Sequence, residues 1–101
     1  MNDFFVPLAD DREVAKEREK ARKLRKTNWW REKISSGVCY YCGSNVGITN
    51  LTMDHIIPLI RGGKSTKGNL VPACKTCNNT KKHKLPIEWE EYLMNIKQNE
   101  I

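Results

Sequence analysis

Two short stretches carry most of the chemistry this chain can offer. Leu51-Thr52-Met53-Asp54-His55-Ile56-Ile57-Pro58-Leu59 sets a carboxylate beside an imidazole inside an apolar run, and Cys74-Lys75-Thr76-Cys77-Asn78 ends a set of four cysteines and continues into an amide. An imidazole changes charge near neutrality and can exchange a proton with water. A carboxylate is a hard oxygen donor of the kind Mg²⁺ and Mn²⁺ favour, the rest of the coordination sphere being left to water and phosphate. The cysteines form two C-x2-C pairs, Cys39/Cys42 and Cys74/Cys77. Four thiolates close a tetrahedron around one Zn²⁺, and a zinc with no open position is structural. The alternative is four free buried thiols. The pairs are separated by 31 residues, more than in a simple zinc ribbon, so the insert must hold structure of its own.

A chain of 101 residues makes one domain, with room for an appendage. At this size little surface is buried, and a metal or disulfide staple is expected. No run approaches the ~18 apolar residues of a membrane span, and the N-terminus lacks the apolar core of a signal peptide. A cytoplasmic location is the expectation, with no membrane partner. In that reducing setting, paired cysteines favour metal over disulfides. The net charge of +6 is unevenly placed: residues 11–33 carry ten Lys/Arg against five Asp/Glu, and residues 34–85 carry seven against one. A polyanion, most naturally nucleic acid, is the partner such segments suit. On charge alone, a solvated basic surface explains them as well.

The positioning elements follow from local pattern. Phe4, Phe5, Val6 and Leu8 are candidates to dock around Pro7. Asp10 can cap a helix, with Glu13 completing a capping-box pattern, and the composition stays helix-forming to about Lys33. The apolar stripe of that helix (Val14, Ala21, Leu24) is thin, so residues 1–33 read as a basic helical arm, one end of it free to lie along a DNA backbone. Trp29 and Trp30 read as core. Ser36-Gly37 ends the helix. Ile48 to Ile57 is β-branched and apolar enough to be extended, until Pro58 stops it. Asn69 to Ala73 suits a second short strand, and Asn78 to about Lys84 a short helix. Pro86 can open a last helix whose Trp89, Tyr92, Leu93 and Ile96 share one face and read as core packing.

In order, Cys39-x2-Cys42, Asp54-His55-Ile56-Ile57-Pro58, Gly62-Gly63, Asn69-Leu70 and Cys74-x2-Cys77-Asn78-x2-Lys81 resemble the HNH endonuclease family, in its subgroup stapled by a four-cysteine zinc. The resemblance covers about residues 37–84. It implies an α+β fold, a ββα-metal (His-Me finger) core, with a basic N-terminal helix over 1–33 and a nuclease domain with a C-terminal helix over 34–101. The activity implied is metal-dependent hydrolysis of DNA phosphodiester bonds. The alternative is a zinc-containing nucleic-acid-binding module without cleavage, which has no need of a base beside a hard-metal site.

Residue roles follow from the same resemblance. His55 matches the general base, and Asp54 a ligand of the catalytic divalent ion, Mg²⁺ or Mn²⁺. Asn69 matches the middle asparagine, whose carbonyl is expected to orient the histidine ring. Asn78 stands where many relatives have the last histidine, so the chain reads His-Asn-Asn; its carbonyl can bind a hard cation, with His83, four residues beyond Asn79, as an alternative ligand. Lys81, Lys82, Lys84, Arg61 and Lys64 are expected to grip phosphates. Neighbours on a regular strand face opposite ways, so Asp54 and His55 can share a site only if the strand ends there. The sequence is compatible with a homodimer through either terminal helix and with phage packaging, mobile-intron or restriction roles. Nicking and double-strand cleavage both agree with it.

Overall fold

The computed structural model describes residues 9–99; the expected docking residues Phe4, Phe5, Val6 and Leu8 lie outside that range. Asp10 caps helix α1 (Asp11–Leu24) as its sequence suggests, its carboxylate accepting from the Glu13 amide at 2.8 Å. The helix does not run on to Lys33. It stops at Arg25, and a second helix, α2 (Asn28–Lys33), starts afresh behind Thr27. Thr27 accounts for the break: its hydroxyl donates to the Leu24 carbonyl at 2.6 Å and accepts from the Trp30 amide. One side chain thus closes one helix and opens the next, a use of threonine that competes with continued helix. Trp30 is buried, as expected, while Trp29 is half-buried with the Lys67 ammonium over its ring.

The sheet has two antiparallel strands, β1 (Leu51–His55) and β2 (Leu70–Cys74), with Leu51 opposite Cys74 and His55 opposite Leu70. The expected strand from Ile48 is shorter, because Ile48–Asn50 forms a 3₁₀ turn. Pro72 is tolerated in β2 because a two-stranded sheet leaves each strand an outer edge; its carbonyl accepts from Tyr40 at 2.8 Å. Helix α3 (Lys75–Lys81) begins three residues before the expected Asn78, since the Cys74 thiol takes the capping role by accepting from the Cys77 amide. It ends at Lys82, whose φ of 51° is left-handed.

Helix α4 (Pro86–Asn99) opens at Pro86, where the Glu88 carboxylate reaches back to the Leu85 amide at 2.8 Å. Trp89 is buried and stacks on Tyr92. Leu93 and Ile96, expected in the core, are exposed, as are Ile87 and Met94. The helix is anchored by its first turns, through Trp89 against Tyr41. The result is an α+β fold with helices flanking a two-stranded sheet. Among the described residues no helix is long and apolar enough to cross a membrane.

Candidate active site

The four cysteines meet at the junction of the first knuckle, the end of β2 and the start of α3. Their sulfur atoms all lie within 4.8 Å of one another, with Cys42 Sγ 4.0 Å from Cys74 Sγ and none in a disulfide. Ligand bonds of 2.3 Å in a tetrahedron would place sulfurs about 3.8 Å apart. The cluster therefore fits a metal after small adjustment. Hydrogen bonds from Ser44 pull the Cys42 thiol down to about 6, which readies one thiolate at neutral pH, whereas burial pushes Cys77 up. Cys39 and Cys74 are buried with Ala73, and Tyr41, Val46, Leu51 and Cys77 pack against them.

Asp54 and His55 do share one site, and the strand end is the reason. β1 stops at His55; the Ile56 amide donates to the Asn69 carbonyl, and the chain turns at Pro58. Asp54, His55 and Asn78 all line one cavity of about 600 Å³, together with Lys82, His83 and Arg18. Asp54 is 7% exposed. Its Oδ2 accepts from the Tyr41 hydroxyl at 2.6 Å and faces the Lys81 ammonium at 3.2 Å. Both bonds fall on the same oxygen, which leaves Oδ1 to a ligand. The phenol pays by titrating high: burial and the adjacent carboxylate both push Tyr41 upward.

The orientation of Asn78 can be argued from its neighbours. The Thr52 hydroxyl gives its one proton to the Ala73 carbonyl at 2.8 Å, so it can only accept from Asn78, which donates through Nδ2 at 2.8 Å. The Asn78 carbonyl oxygen is then the free end. One carboxylate oxygen and one amide oxygen on the wall of a shared cavity are hard donors, the type that Mg²⁺ takes together with water and phosphate.

His55 is held by a residue that sequence reasoning did not single out. Its Nε2 lies 2.9 Å from Ser65 Oγ. Ser65 donates its hydroxyl proton to the Glu17 main-chain carbonyl at 2.5 Å, and its amide donates to the Glu17 carboxylate at 2.6 Å. With that proton committed, the His55 bond runs from Nε2–H to Ser65, and Nδ1 is the basic nitrogen. Burial, the largest influence, holds the His55 pKa below its ordinary value despite the Asp54 charge. Burial thus favours the neutral ring.

Several expectations are corrected here. Asn69 makes no hydrogen bond to the histidine ring. Its carbonyl accepts from the Ile57 amide at 2.8 Å, and its Nδ2 donates to the carbonyls of Ile57 and Lys64, so it clamps the loop after β1. The Gly62-Gly63 pair serves the same loop: Gly62 has φ 92°, and a Cβ on Gly63 would lie 1.8 Å from the Ile57 carbonyl. Lys81 is not a phosphate grip. At 1% exposure it is the buried counter-ion of Asp54 and also donates to the His55 carbonyl at 3.1 Å; removing one partner of such a pair costs about 3–5 kcal/mol. Arg61 is engaged by Glu88 at 3.1 Å and by the His83 carbonyl, tying the loop to α4. Lys84 caps α3 through the Thr80 carbonyl and sits over the Tyr92 ring. Lys82 is exposed on the cavity wall, and Lys64 is exposed near Glu13 at 3.8 Å. His83 lines the cavity but lies beyond α3, so it does not share a helix with Asn79. The N-terminal helix is no free arm: Glu17 and Ala21 are buried, and Ala9 bonds the Ile60 carbonyl.

Comparison with known proteins adds three findings. Residues 39–94 match the profile described as HNH endonuclease. The CRISPR-associated endonuclease Cas9 of Corynebacterium diphtheriae is 46% identical over 44 residues, 43% of this chain and 4% of that protein. The Cas9 of Actinomyces naeslundii is 35% identical over 54 residues, 52% of this chain and 5% of that protein. The chain thus spans about one-twentieth of the length of these relatives.

Proposed function

Because the chain belongs to the HNH endonuclease family, we propose that it hydrolyses DNA phosphodiester bonds, with a divalent cation (Mg²⁺ or Mn²⁺) held between Asp54 and Asn78 and a structural zinc in the four-cysteine cluster. The observation that carries this reading is the shared cavity of Asp54, His55 and Asn78, in which the base has its tautomer fixed from behind by Ser65. His55 Nδ1 takes the proton of the attacking water as its oxygen adds to phosphorus and the bond to the 3′-oxygen breaks. The bound cation supplies stabilisation of the charge that develops on the phosphate and the leaving oxygen. Asp54 is aimed by Tyr41 and Lys81, and Asn78 by Thr52. Lys82 and Lys64 remain available to neighbouring phosphates. The cysteine cluster fixes Tyr41, within the first knuckle, and Asn78, directly after the second, so the two metal sites are mechanically joined.

The test is cleavage of supercoiled plasmid by the full chain, wild type beside His55→Ala, after loosely held cations are removed on a chelating resin. Added Mg²⁺ or Mn²⁺ should restore nicking or linearisation to wild type, with the variant slower by roughly 10²–10⁴-fold. If both proteins retard the plasmid and neither cuts it with any divalent cation, the binding module without cleavage becomes the better reading.

A further inference from the structure

A second cavity, of about 500 Å³, also reaches His55 and is lined by Arg18, Glu19 and Arg22 of α1 and by Arg25 at its C-cap. It adjoins the first at Ala15, Arg18 and His55, which line both. The candidate base therefore borders both a hard-donor cavity and an arginine-lined one. At 100° per residue, burial of Glu17 and Ala21 against the loop places Arg18, Arg22 and Arg25 on one flank of α1. Lys16, Lys20 and Lys23 fall on the opposite flank. All three arginines are exposed. Arg22 is paired with Glu19, whereas neither Arg18 nor Arg25 has an ion pair among the described residues.

Resting on the nuclease reading above, we propose that Arg18 and Arg25 form a phosphate-binding track that carries the DNA strand past His55 along α1. The two residues are seven apart, about 10 Å along the helix axis. A DNA strand passes about three phosphates in that length, so each arginine can meet its own phosphate while Arg22, already neutralised by Glu19, contributes less. Guanidinium groups suit the task because their donors match phosphate oxygens in pairs. Docking α1 on the nuclease loop makes the track rigid with respect to the base. Such contacts hold register and carry no sequence information.

The experiment compares two double variants with equal loss of charge, Arg18→Gln/Arg25→Gln on the cavity flank and Lys16→Gln/Lys23→Gln on the opposite flank. All four positions are exposed, so both variants should fold, which circular dichroism checks. Affinity for a labelled DNA duplex is measured on His55→Ala backgrounds from about 50 to 200 mM salt, and cleavage KM and kcat on His55 backgrounds. Loss of two phosphate contacts should make the dependence of log K on log salt shallower by about 2 for the arginine variant. Over that range the parent then loses about tenfold more affinity than the variant does. KM should rise with kcat within about twofold, and the lysine variant should follow the parent. Equal effects of the two variants, or no effect of either, overturn the track. If the parent cleaves DNA in that case, the nuclease reading stands; if the parent neither binds nor cuts, both fall.

Discussion

The Ser65 hydroxyl has one proton to give and gives it to the Glu17 carbonyl, and by doing so it decides which nitrogen of His55 is basic. Ser65→Ala removes this arrangement while leaving Asp54, Asn78 and the cysteines untouched. The ring can then populate the tautomer that holds its proton on Nδ1. We expect kcat for plasmid cleavage to fall roughly 10–100-fold, as is common when an orienting partner of a functional histidine is lost. The pH profile distinguishes this from a general disturbance. Burial keeps His55 below its ordinary value of 6.5, so the wild-type rate should lose activity only on the acid side of that value and be flat above it. A tautomer defect persists along the flat region, whereas a shifted ionisation would be rescued by raising the pH. Full recovery of Ser65→Ala at pH 8 would count against the assignment.

At the scale of elements, α1 is the part whose role differs most from expectation. Its cap at Asp10 was legible because Asp10 and Glu13 are neighbours in sequence; so were Pro86 and the Asp54-His55 pair before Pro58. The contact that fixes α1 in place joins Glu17 to Ser65, 48 residues apart, and neither residue type at either place announces it. The Thr27 break could have been found, since a threonine before Asn28 is a fair cap signal, but ten basic residues and unbroken helix propensity masked it. Lys81 illustrates the opposite error: a lysine in a basic run reads as surface until the fold places a carboxylate, Asp54, under it. The α1 contact has a pH signature. Glu17 is held below its ordinary carboxylate value of 4.5, chiefly by the Ser65 amide and then by Lys20. A lowered folded pKa stabilises the fold above about pH 4.5 and ceases to do so as pH falls through the folded value. Glu17→Gln should therefore cost about 1–3 kcal/mol at pH 7, and its thermal melt should converge on wild type below pH 4.5. A gap between the two that is constant from pH 7 to pH 3.5 would rule out the charged contact.

The whole molecule is thin, 45 × 43 × 18 Å, with a radius of gyration of 14.8 Å against about 13 Å for a typical domain of 100 residues. Among the described residues few apolar side chains are buried, and two of them, Cys39 and Cys74, belong to the cysteine cluster. A metal held by the cysteine cluster would then supply much of the stability. A zinc-selective chelator should abolish the cooperative melting transition and the near-ultraviolet signal of Tyr41 and Trp89, and excess Mg²⁺ should restore neither. A chelated protein that melts as before would show that the thiols are not needed as ligands. The Glu17–Ser65 contact bears equally on how the chain can be dissected. The family match begins at residue 39, so a fragment cut to that boundary would retain all four cysteines, Asp54, His55 and Asn78. It would also strand Ser65 without its acceptor, free the hydroxyl to turn, and leave the proposed base with two tautomers instead of one. The smallest autonomous unit of the proposed catalyst is thereby larger than its motif, and any ligand able to lever α1 away would act as an off-switch without touching the cleft.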